Sequence, residues 1–263
     1  MSISAENGNA AGHGMPVIRK IRADQPWRWL EAGWADFRRI PAISLAYGFA
    51  FLAASLVLAA ILFLTGFSAL LPVFGAGFLL IGPLLAVGLY EASRRLEAGL
   101  PVRLKDVVFV SSRNLSQLAL VGAMLAGAFI IWLRLAGWIS AAFFGPVGIP
   151  PLTEFVPTLL LTPRGLAMLA IGTAVGGIIA FGVFAISAIS VPLLLARDID
   201  AVTAVIASVR AVRENFWAML LWGWIVALLT ALGIATWFLG LAVIFPLLGH
   251  ATWHAQRALV GDA

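Results

Sequence analysis

Cysteine is absent from the 263-residue chain, which excludes disulfides, zinc-thiolate sites and thiol nucleophiles together. Charge is scarce: 11% of residues are Asp, Glu, Lys or Arg, under half the share of about 25% usual in soluble domains. Histidine occurs three times and tyrosine twice. No phosphate-cradling glycine loop, no nucleophile set and no pair of carboxylates within an apolar run is present. The sequence therefore predicts a protein that is not an enzyme and has no resident cofactor. Residues 1–18 contain no apolar run of signal-peptide length, so no cleaved signal is expected.

What is present is apolar. Hydrophobic residues make up 62% of the chain, with ten tryptophans and seventeen phenylalanines, in runs able to cross about 30 Å of hydrocarbon at about 1.5 Å per helical residue. The pattern predicts an all-α, polytopic membrane protein. Spans are expected from Pro41 to near Gly66, from Leu70 to near Glu91, and from Leu115 to near Phe144. A fourth runs to Leu195 from Thr162 and Pro163, an N-cap with proline at the first helical position. Residues 216–249 carry no charge and exceed one crossing, so a turn near 233–240 divides them and makes six transmembrane helices.

An amphipathic stretch precedes each pair of spans and suits the membrane surface. In residues 26–40, Trp27, Leu30, Trp34 and Phe37 form the apolar stripe, with Asp36 on another face. In 104–113 the stripe is Val107, Val108 and Val110, and in 201–213 it is Val202, Val205, Val209 and Val212. The proline-rich stretch 145–162 is expected as a translocated loop with one interfacial turn started by Thr153 and Glu154.

Side by side, these segments read as three parallel repeats of an interfacial amphipathic helix plus a transmembrane helix pair. The units are 24–101, 102–198 and 199–258, a single membrane domain between a disordered cytoplasmic tail (1–23) and a short C-terminal one (259–263). Each unit holds an even number of spans, so the copies share one orientation about an approximate threefold axis. Fifteen of the seventeen Lys and Arg fall on the side of the termini and the inter-unit linkers, which by the positive-inside rule puts both termini in the cytoplasm. The net charge of +5 is thereby assigned to anionic lipid and topology rather than to nucleic acid.

The return span of each unit carries proline: Pro83, Pro192 and Pro246. Eight residues after each stands a titratable group, Glu91, Asp200 and His254. Three equivalent helix ends converging on the axis would make a metal or proton site, with His250 as a fourth ligand on the same helical face as His254. The alternative is that these are solvated helix ends, with Glu91 paired locally to Arg94 or Arg95. Arg134 is the charged residue well inside a span, and such residues carry a functional hypothesis by default; snorkelling, or pairing with Glu154, is the structural alternative.

The stretches Gly33-Trp34-Ala35-Asp36-Phe37, Gly82-Pro83 through Gly88-Leu89-Tyr90-Glu91, Val191-Pro192-Leu193-Leu194 with Arg197-Asp198, and Leu248 through His254 resemble the bacterial integral-membrane family catalogued as domain of unknown function 2189. The resemblance implies a protein of the bacterial inner membrane and supplies no mechanism. The function expected is that of a non-enzymatic scaffold, accessory subunit or assembly partner, whose partners are the bilayer and a membrane-protein complex. The alternative is a transporter or channel for a small ion or metal.

Overall fold

A computed structural model describes residues 15–110, 114–145 and 152–261, and among these residues there is no strand. The helices are α1 (Gln25–Arg39), α2 (Pro41–Leu64), a 3-10 turn (Ser68–Leu70), α3 (Leu71–Leu85), α4 (Val87–Glu97), α5 (Leu104–Val108), α6 (Leu115–Phe144), α7 (Leu152–Leu161), α8 (Pro163–Ser187), α9 (Ser190–Ala196), α10 (Ala201–Glu214), α11 (Phe216–Ala235) and α12 (Leu241–Leu259). Five stretches are long and apolar enough to cross a membrane: Pro41–Leu64, Ser68–Glu97, Leu115–Phe144, Pro163–Ala196 and Phe216–Ala235. α12 is not among them, because its second half is polar.

Two of the three repeated prolines lie near helix breaks. α3 gives way to α4 at Ala86, three residues after Pro83. The fourth crossing breaks at Ala188 and Ile189, and Pro192, lacking an N–H, leaves the Ala188 carbonyl without its helical donor. α12 runs through Pro246 without a break. Thr162 caps α8 by accepting from the Gly165 N–H at 3.0 Å. The α11–α12 turn falls inside the expected interval, with Trp237 and Phe238 at positive φ.

Twelve of the nineteen residues of α12 are buried, and the rest of the chain is arranged around it. Glycines let two helices press against its backbone. A Cβ on Gly33 of α1 would lie 2.6 Å from the Ala251 nitrogen, and one on Gly48 of α2 would overlap the Ala242 carbonyl oxygen. Packing is uneven along the molecule: Leu89, Ile189, Leu193, Leu194 and Ala251 are fully buried at the end that carries α4, α9 and α12. In four of the five apolar windows a third or less is buried.

Several local expectations change. α1 buries Trp29, Gly33, Asp36 and Phe37 and leaves Trp27 and Trp34 exposed; the stripe packed on the protein lies beside the apolar stripe named above and shares Phe37 with it. α10 buries Ala201, Ala204, Ala207, Ser208 and Ala211, and of its four valines only Val212 is buried, since alanine permits the closer helix approach. α5 ends at Val108, and Arg113 lies outside the described residues. The turn at Thr153-Glu154 is a ten-residue helix, α7.

The N-terminal stretch is held before residue 24. Ile18 bridges Val260, the Arg19 N–H donates to Leu259 at 2.8 Å, and the Gly261 N–H donates to Val17 at 3.0 Å. Asn215 then accepts from the Ile21 N–H at 2.9 Å and donates to the Arg19 carbonyl at 3.0 Å. The expected tails at 1–23 and 259–263 thus meet at residues 17–21 and 259–261; residues 1–14 lie outside the described residues.

Candidate functional site

Spacing of four places His250 and His254 on one face of α12, and three helices close over that face. α1 brings Asp36, whose Oδ2 is 2.8 Å from His254 Nε2. α2 brings Ser44, its Oγ 3.0 Å from His250 Nε2, and α4 brings Ser93, its Oγ 2.8 Å from His250 Nδ1. The result is a polar cluster of two bonded groups, His254–Asp36 and Ser93–His250–Ser44, running from a side chain 27% exposed to residues with no exposure at all.

Each ring nitrogen of His250 faces a hydroxyl, so in the neutral ring one nitrogen donates and the other accepts. Burial disfavours the charge on Asp36, but the neighbouring His254 and Ser93 outweigh it and hold the carboxyl below its ordinary range.

A pH dependence follows from Asp36: its contribution to stability is present above 3.8 and is lost as pH falls further, through its depressed folded value. Thermal unfolding in detergent should show a midpoint that falls below pH 4 and falls less in Asp36→Asn; equal profiles would rule out a carboxylate held by His254.

The remaining candidates do not join this cluster. Glu91 is 2% exposed and receives Arg94 at 2.7 and 2.8 Å and Arg95 at 2.7 Å, which is the local pairing alternative. Asp200 is exposed and caps α10, accepting from the Thr203 N–H at 2.9 Å and from its hydroxyl at 2.5 Å. Arg134 is exposed on α6, and no ion pair joins it to Glu154 among the described residues. No group of three or more His, Cys, Asp or Glu is placed to hold a metal ion among the described residues. Both ring nitrogens of His250 are already engaged.

Sequence reasoning passed over Asp36, Ser44, Ser93 and Glu97. Glu97 accepts from Trp253 Nε1 and from Arg257, each at 2.9 Å. A signal for Asp36 was there: 29, 33, 36 and 37 are one helical stripe, and Gly33 within it marks close approach. Hydroxyls such as Ser44 and Ser93 give no such mark.

Residues 70–196 match the family model described as a predicted integral membrane protein (DUF2189). The matched segment takes in α3 to α9, with Glu91 and Ser93. It leaves out Asp36, Ser44, His250 and His254, so the resemblance at Gly33–Phe37 and at Leu248–His254 falls beyond it. No curated protein and no solved structure matches the chain.

Proposed function

We propose, taking residues 70–196 as part of that membrane family, that the chain is a six-crossing protein of the bacterial inner membrane that serves as a non-enzymatic scaffold or accessory subunit of a membrane complex, with both termini cytoplasmic. Support for the sixth crossing comes from the contact of residues 17–19 with 259–261 and of residues 19–21 with Asn215 at the start of α11. α12 must return to the end from which α11 set out, and its nineteen residues reach about 28 Å. Asn114 and Asn215, each at the junction of a surface stretch and a span, both donate to carbonyls of distant segments, Leu194 and Arg197 in one case and Arg19 in the other. That equivalence supports the repeat reading.

The observation that carries the scaffold role is the packing gradient. His250 and His254 are spent on holding α1, α2 and α4 to α12, while four of the five apolar windows leave most of their residues unburied. That surface suits lateral association. Native electrophoresis of membranes solubilised in mild detergent should show the chain in an assembly heavier than itself; a monomer at every detergent concentration would overturn the reading.

A second reading, passage of a small ion, is favoured by one feature: the cluster of polar side chains that leads from partly exposed His254 to buried Asp36, Ser93, His250 and Ser44. Vesicles containing the purified protein and a pH-sensitive dye should show no proton flux above empty vesicles if the scaffold reading holds. Flux that disappears in Ser93→Ala would establish conduction instead.

A further inference from the structure

α8 and α11 face each other with small residues and yet do not close. Between them is a cleft of about 370 Å³, walled by Gly177, Ala180 and Phe181 on one side and by Met219, Gly223 and Ala227 on the other. Small residues ordinarily let membrane helices come into contact; here they border open space. From Met219 to Ala227 the wall is about 12 Å long. Its lining is apolar side chains and glycines, which suits an acyl chain.

The cleft lies toward the end at which α11 starts. Phe181 meets Phe216 edge-on, with centroids 6.2 Å apart, and Phe216 meets Trp217 at 5.3 Å. The next residue back, Asn215, holds the backbone of Arg19 and Ile21, so the backbone of residues 19–21 runs beside the first turn of α11. Arg213 lies in the last turn of α10, two residues before Asn215. Arg19, Lys20 and Arg213 are exposed. Arg22 is matched by Asp24 and Arg210 by Glu214, but Arg19, Lys20 and Arg213 have no ion pair among the described residues. The start of α11 adds the positive end of its dipole. Positive charge above a narrow apolar slot is complementary to one class of molecule, an anionic headgroup on a hydrocarbon tail.

We propose that the α8–α11 cleft binds one anionic phospholipid of the terminus-side leaflet, its phosphate at Arg19, Lys20 and Arg213 and an acyl chain between Gly177 and Gly223. The proposal rests on the membrane-crossing reading and not on the scaffold role. It predicts that the protein in neutral micelles binds phosphatidylglycerol in preference to phosphatidylcholine, one molecule per chain by native mass spectrometry, with affinity falling as salt rises.

The triple variant Arg19→Gln, Lys20→Gln, Arg213→Gln should weaken phosphatidylglycerol binding about 100-fold, at about fivefold per charge, and abolish the preference. Gly223→Leu, whose Cβ has only ordinary contacts with Phe184, should block both lipids by filling the slot. Equal binding of the two lipids by the wild-type chain, absence of salt dependence, or a second polypeptide cross-linked in the cleft would overturn the proposal. The wild-type titration needs no variant to fold. Extraction of the chain from membranes by alkaline carbonate would instead refute the membrane-crossing reading beneath it.

Discussion

Gly48→Ala is expected to cost about 3 kcal/mol or more of stability, although it adds a single methyl group and replaces a poor helix former with the best one. On an open helix that exchange gains about 0.5–1 kcal/mol. At Gly48 the new carbon would occupy the position of the Ala242 carbonyl oxygen. Backbone cannot swing aside as a long side chain can, so α2 must move off α12. That separation would also stretch the Ser44–His250 hydrogen bond one turn away, which takes the effect beyond the 1–3 kcal/mol of ordinary overpacking. Gly127→Ala in α6, where a Cβ meets nothing within 4 Å, makes the matched control and should be neutral or slightly stabilising. Thermal unfolding of the two variants in one detergent decides it; equal midpoints would mean that α2 and α12 are not held at this crossing.

His250→Ala is the other large effect, at about 3–4 kcal/mol. It combines a cavity at a site of zero exposure with the loss of both partners of the ring. Ser44 and Ser93, both buried, are each left without the ring nitrogen they bond. Ser93→Ala alone should cost about 1–2 kcal/mol, since Ser44 still holds the ring. Because His250 and Ser93 share one hydrogen bond, the double variant should fall short of the sum by about 1 kcal/mol or more. Additive losses would show that His250 and Ser93 are independent and that this bond does not form.

These two positions also show what could and could not be read from the sequence. The crossings were legible because a bilayer imposes length and apolarity on each segment by itself, and the caps and breaks at Thr162, Pro83 and Pro192 act locally. Which face of a surface helix is packed on the protein was not legible, because it depends on the partner: Trp27 and Trp34 mark an apolar face, while the packed face is the one on which Gly33 meets Ala251. The candidate site failed for a related reason. Counting eight residues from each proline finds equivalent positions in sequence, but the helix end at Glu91 lies among arginines and the one at Asp200 starts a helix. Only the third meets a buried partner, Asp36, which comes from the opposite end of the chain.

The arrangement around α12 sets an order of events during synthesis. The hydrogen bonds of Asp36 on α1, Ser44 on α2 and Ser93 on α4 all end on α12. At about 5–20 residues per second, Asp36 and Ser44 leave the ribosome roughly 10–40 s before His250 and His254 do. For that interval a carboxylate and two hydroxyls wait without the ring nitrogens they will bind. A chain cut short of α12 never leaves this state, and the uncovered Asp36 and Ser93 distinguish it from a chain that holds α12. Packing of the earlier helices is therefore gated by synthesis of α12, which gives a membrane protease a direct way to recognise a product truncated before it.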